Sequence, residues 1–149
     1  MSQFKLYPRD IAIEVGDRHK KFEHLIEEVS SPFYGKTMKQ VFMFALGIGF
    51  KNNKKEPLKK KTGSIPVRSL TDTDLTILKA IAIAHTKTVD TLFGENIPSM
   101  FSIAEEYANG GIDMLYYQVF NPEPGDIDKK IEQPLREIVN NLLTELKTQ

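Results

Sequence analysis

The chain has 149 residues, 40% hydrophobic and 27% charged, and its 20 basic and 20 acidic residues cancel. That length suits a single domain with a sizeable core. The absence of cysteine excludes disulfides and thiolate metal sites and makes a reducing cytoplasm the expected setting. The longest apolar window, residues 41–50, is about half of the roughly 20 residues that cross a bilayer. The first residues carry no basic stretch leading into an apolar run, so neither a membrane span nor a signal peptide is expected.

In chain order, Ile11-Ala12-Ile13-Glu14-Val15 alternates as a short strand does and ends at Gly16, with Pro8 confining it to an edge or a beginning. If Ile11, Ile13 and Val15 face the core, Ala12 and Glu14 face outward. Asp17 is placed to cap a helix over about residues 18–29, with Phe22, Leu25, Ile26 and Val29 as its stripe and Ser30-Ser31-Pro32 as its end. Thr37 followed by Gln40 is a capping-box pattern. Met38, Val41, Phe42, Ala45 and Leu46 then recur at helical spacing, and Met43, Phe44 and Ile48 fill the other sides. A helix apolar nearly all round belongs at the centre of the fold, with Gly49 as its expected stop.

The charge is unevenly placed. Between Lys51 and Arg68 stand seven basic residues (Lys51, Lys54, Lys55, Lys59, Lys60, Lys61, Arg68) and one acid, Glu56, so the rest of the chain is acidic by the same surplus of six. Asn52-Asn53, Pro57, Gly63 and Pro66 mark residues 51–70 as a long loop with an extended piece near 65–67. Thr71 or Asp72 opens a helix with Leu75, Leu78, Ile81 and Ala82 on one face, ending near His85 to Lys87. A helical turn over 89–93 closes at Gly94. Pro98 suits a first turn, Phe101, Ala104, Tyr107 and Ala108 form an inner stripe, and Asn109-Gly110-Gly111 predicts a stop and reversal before a further helix over 112–120. Asn121-Pro122-Glu123-Pro124-Gly125 predicts a linker over 121–133. The C-terminal helix, 134–147, carries Leu135, Ile138, Val139, Leu142, Leu143 and Leu146.

These elements predict a mostly α fold: one compact domain of five or six helices, with a short N-terminal strand and a long basic loop. Its parts are an N-terminal extension at 1–16, a core at 17–120, the linker and the final helix. The order strand, helix, capped helix is also that of a ribbon-helix-helix dimer, although an outward Glu14 would repel phosphate.

Catalytic patterns are thin. His19 and His24 are five apart rather than four, which leaves them off one helical face, and His85 falls at a helix C-terminus, where imidazole favours the dipole. Glu105 and Glu106 are adjacent, so their side chains point about 100° apart and form no shared site. Neither a phosphate-cradling glycine loop nor a Gly-x-Ser-x-Gly elbow is present. No cofactor and no metal site is expected. The lysine segment is the feature suited to an anion, since lysines neutralise phosphates and release counterions. The competing reading is a mobile, solvated loop. With no aromatic among the lysines, base stacking is disfavoured and backbone contact with little sequence reading is expected.

The runs Thr37-Met38-Lys39, Phe44-Ala45, Gly49-Phe50-Lys51, Glu56-Pro57-Leu58 and Ile65-Pro66 resemble the DNA phosphorothioation-associated protein 4 family, also called Dnd system-associated protein 4. Phe101 followed by Glu105-Glu106-Tyr107-Ala108-Asn109-Gly110-Gly111-Ile112 is the more specific part, because helical periodicity does not demand that order. The likeness covers about residues 20–117 and leaves out the first 16 residues, the linker and the final helix. It implies a small protein encoded beside systems that place sulfur in the DNA backbone and restrict DNA lacking it, with an accessory role and no active site to carry over. The role of Glu105, Glu106, Tyr107, Asn109, Gly110 and Gly111 stays open. Three functions follow as expectations: a non-enzymatic accessory protein binding DNA, other proteins of the system or both; a protein-binding or self-associating subunit using the 134–147 helix; and a metal-dependent nuclease using Glu105 or Glu106.

Overall fold

A computed structural model describes residues 7–121 together with Asn141 and Thr144. Over these residues the fold is mostly α, with strand β1 (Asp10–Glu14), helices α1 (Asp17–Glu27) and α2 (Met38–Lys51), strand β2 (Lys61–Pro66), and helices α3 (Asp72–Thr86) and α4 (Ile97–Phe120). Short 3-10 turns at Val67–Ser69, Val89–Leu92 and Gly94–Asn96 connect them. The predicted 121–133 linker and 134–147 helix lie outside the described residues, apart from Asn121, Asn141 and Thr144.

Helix α2 starts where the capping box placed it. Thr37 Oγ1 accepts from the Gln40 amide at 3.2 Å, and Gln40 Oε1 accepts from the Thr37 amide at 2.9 Å. The same device opens α3, with Asp74 in the role of Gln40: its carboxylate accepts from the Thr71 amide at 2.9 Å. Val41, Phe42, Ala45, Leu46 and Ile48 are buried, so α2 is central as its composition predicts.

Its main partner is α4, and here two expectations fail together. Gly49 does not stop α2, which runs on to Lys51, and Asn109-Gly110-Gly111 does not break α4, which is a single helix of 24 residues. These glycines are packing residues. A Cβ on Gly111 would overlap the Ala45 carbonyl oxygen, and one on Gly49 would overlap the Tyr107 carbonyl oxygen. Only hydrogen allows the two backbones to approach this closely, and that need outweighs the weak helix propensity of glycine.

The segment 51–70 is not one loop. Residues 61–66 form β2, which pairs antiparallel with β1 from Glu14↔Lys61 to Asp10↔Pro66, and the register skips Ser64 between the Ile11↔Ile65 and Ala12↔Gly63 pairs. β1 thus takes a strand of its own chain as partner, whereas a ribbon-helix-helix pairs it with the same strand of a second copy. Ile11 and Ile13 enter the core as predicted, but Val15 is 44% exposed and Glu14 is buried, the reverse of the expected facing. At the end of α1, Phe22 and Leu25 are buried, whereas Val29 lies past the helix and is 74% exposed.

Candidate functional site

Most of the predicted basic residues lie on residues 52–60, a strap that leaves α2, crosses α4 and enters β2. Its main chain is fastened along its length. The Lys54 amide donates to Gly49 O at 2.8 Å, and the Glu56 amide donates to Glu106 O at 3.0 Å. Asn109 Nδ2 donates to Glu56 O at 3.1 Å and Pro57 O at 3.3 Å. The Lys59 amide donates to Glu14 Oε1 at 2.8 Å, and the Val15 amide donates to Lys60 O at 2.8 Å. Beneath the first turn, Gly110 lies against the Lys54 carbonyl, where a Cβ would not fit. The expected alternative of a freely solvated loop does not describe this segment.

The unexplained Glu-Glu-Tyr-Ala-Asn-Gly-Gly run acquires a structural role from these contacts. Asn109, Gly110 and the Glu106 carbonyl seat the strap, while Gly111 and the Tyr107 carbonyl receive α2. Tyr107 is buried, its ring edge-on to Phe50 and its hydroxyl 2.9 Å from His85 Nδ1. Glu105 turns the other way and accepts the Ala12 amide at 2.6 Å, joining α4 to β1.

The seven cations are not equivalent. Lys55 Nζ lies 3.1 Å from Glu106 Oε1, and Lys61 Nζ lies 3.6 Å from Glu105 Oε1. Lys51, Lys54, Lys59 and Lys60 are exposed, and among the described residues their side chains have no acidic partner. Arg68 stands apart: six strand residues at about 3.3 Å each put it roughly 20 Å from Lys60, beside Arg9, whose carbonyl accepts the Val67 amide. Two basic residues near α1 and α2 are also committed elsewhere. Arg18 pairs with Glu14 and Asp113, both at 2.9 Å, and Lys39 pairs with Asp74 at 3.0 Å. Lys36 is exposed but precedes the far end of α2 from Lys51, about 20 Å away by helix rise.

Next to the strap runs a polar network in which Glu14 and Glu105 are buried and Arg18, Lys21 and Asp113 are partly exposed. Burial alone would raise the Glu14 carboxyl, but the Lys59 amide and the Arg18 guanidinium outweigh it and hold the group below its ordinary value of 4.5. Asp113 is held down in the same way, with Arg18 and Lys21 overcoming its burial. In Glu105 burial prevails over the Ala12 amide and Lys61, and the neighbouring Glu106 charge adds to it, so this carboxyl is pushed up. Sequence reasoning missed Glu14, Arg18 and Asp113. The only signal available was a carboxylate inside an apolar strand with an arginine four residues on.

The histidines take separate surroundings. His19 pairs with Glu23, and His24 stacks on Phe120 at a centroid distance of 4.3 Å and bonds Tyr116 OH at 2.7 Å. No three His, Asp or Glu side chains among the described residues are grouped to hold a metal ion, and no helix among them is long and apolar enough to cross a membrane.

Fold and site define a small helical protein that carries its main cation surplus on a fastened surface strap. The chain belongs to the family described as DNA sulphur modification system-associated protein 4, which it matches over residues 16–142. That span is wider than the 20–117 of the motif likeness: it takes in the 121–133 segment and most of 134–147. No curated protein and no solved structure matches the chain.

Proposed function

We propose that the protein is a non-enzymatic, cytoplasmic accessory component of a DNA phosphorothioation-linked defence system that binds the DNA backbone through Lys51, Lys54, Lys59 and Lys60, with other proteins of the system as further partners. The carrying observation is that these four lysines are exposed, with no acidic partner among the described residues, on a main chain already fixed to α4, α2 and Glu14. A fixed backbone lowers the ordering cost of binding, and each phosphate neutralised releases counterions. Lysines read charge and position rather than base edges, so the interaction carries little sequence preference. The non-enzymatic part is supported by the employment of both candidate carboxylates: Glu105 holds the Ala12 amide and Glu106 holds Lys55.

The test is an electrophoretic shift with a mixed-sequence duplex over a salt series. Replacing Lys51, Lys54, Lys59 and Lys60 by Ala is expected to abolish the low-salt shift or to flatten the log–log salt slope by about 3–4, at roughly 0.9 per phosphate contact. Arg68→Ala, on the far end of β2, is expected to change binding little. Unchanged binding by the fourfold variant removes these four lysines as the DNA contact, and absence of a shift by the wild-type chain at low salt removes the DNA reading and leaves protein partners. Metal-dependent nicking of the duplex that disappears in a Glu105→Gln/Glu106→Gln variant would remove the non-enzymatic one.

A further inference from the structure

Glu105 and Glu106 are neighbours in sequence with different surroundings. Glu105 is buried, its side chain 8% exposed, and is bound to a backbone amide of β1; Lys61 reaches only its edge and is itself 52% exposed. Glu106 is partly buried beneath the strap, its side chain 27% exposed, and its carboxylate has one partner among the described residues, Lys55 at 3.1 Å. The strap's attachment to this residue uses the Glu106 carbonyl rather than the carboxylate. Lys55 lies between two anchored amides, those of Lys54 and Glu56, so its side chain can swing while the main chain stays fastened. Lys55 is also flanked by Lys54 and stands within a few residues of Lys51 and Lys59, cations without acidic partners among the described residues.

We propose that Glu106 is an internal competitor for the anionic partner of the strap: Lys55 rests on Glu106 in the free protein and exchanges it for a phosphate when a polyanion binds. This rests on the DNA-backbone reading above. The exchange lowers the affinity of the strap by the strength of one partly exposed ion pair and keeps a fifth lysine from attracting anions indiscriminately. A pair of this kind is weak enough to be broken by a phosphate array and strong enough to be measured.

The experiment is a double-mutant cycle on the full chain with a mixed-sequence DNA duplex at fixed low salt. Glu106→Gln keeps the side-chain shape and the carbonyl anchor, and is expected to tighten binding about two- to fivefold, the range an exposed ion pair allows. Glu56→Gln makes the same change in net charge at an exposed residue of the same strap that has no ion pair among the described residues, and is expected to give a smaller gain. In a Lys55→Gln background the Glu106→Gln gain is expected to fall to that of Glu56→Gln, because no lysine remains to be released. Thermal melting of each variant shows that the comparison is made between folded proteins. A Glu106→Gln gain that persists in full without Lys55 is a net-charge effect and overturns the exchange while leaving the DNA-backbone reading intact. Absence of duplex binding by the wild-type chain at low salt overturns both.

Discussion

Glu14 and Glu105 are both almost fully buried carboxylates, and their environments drive them in opposite directions. Glu14 is bound by the Lys59 amide and Arg18, so its folded pKa lies below 4.5; its stabilisation is present above pH 4.5 and is lost as pH falls through the folded value. Asp113 and Asp74 act with the same sign from an ordinary value of 3.8. Glu105 has the reverse sign: its folded pKa is raised, so its contribution is complete below 4.5 and is lost as pH rises through the folded value. Urea unfolding followed against pH should separate them. Glu14→Gln is expected to lose about 1.5–3 kcal/mol at neutral pH, the worth of hydrogen bonds to a charged group, and to show a shallower acid limb than the wild type. Glu105→Gln keeps an acceptor for Ala12 and should flatten the decline above pH 4.5. A Glu14→Gln variant with the acid limb of the parent would show that Lys59 and Arg18 do not act through this carboxylate. The two roles were illegible in the sequence, because each depends on a residue from a distant element reaching the carboxylate.

At the scale of elements, the crossing of α2 over α4 depends on Gly49 and Gly111. Alanine at either site gains about 1 kcal/mol of helix propensity and places a methyl group into a backbone carbonyl. Overpacking of this kind costs roughly 1–3 kcal/mol and sometimes more, so Gly111→Ala and Gly49→Ala are expected to be destabilised in chemical denaturation despite their better helical residue. A stabilised Gly111→Ala would mean that the helices are farther apart than the structure places them. The start of α2 and of α3 was legible, since a capping box involves residues three apart and needs no tertiary partner. The Asn-Gly-Gly run misleads for the opposite reason. Glycine at a helix end and glycine at a helix crossing look alike in one dimension, and only the approach of Ala45, Lys54 and Tyr107 separates them.

For the molecule as a whole, the strap is part of the folded unit rather than an appendage to it. The Lys54, Glu56 and Lys59 amides, although they belong to a segment with largely exposed side chains, donate to Gly49, Glu106 and Glu14. Their hydrogen exchange is expected to be protected, and Asn109→Ala, which removes the bonds to Glu56 O and Pro57 O, is expected to accelerate exchange across 56–59 with a loss of about 1 kcal/mol. Exchange at these three amides as fast as in an unstructured peptide would return the segment to the solvated-loop reading. The same arrangement divides the predicted cation cluster: four lysines without an acidic partner among the described residues, two residues paired with α4 carboxylates, and Arg68 removed to the other end of β2.

By itself the sequence determined what rests on short-range regularity: the helical class, the capped starts of α2 and α3, the apolar face of α2, the family motif and the concentration of lysine between residues 51 and 61. Periodicity, capping and charge counts are properties of neighbours in the chain. Tertiary structure alone decided that the lysine segment is fastened, that Glu14 and Glu105 are buried with opposite titration, and that Gly49, Gly110 and Gly111 continue helices instead of ending them. Each of those outcomes is fixed by a backbone group supplied from about 40 to 95 residues away, and such a partner becomes identifiable only once the helices have packed.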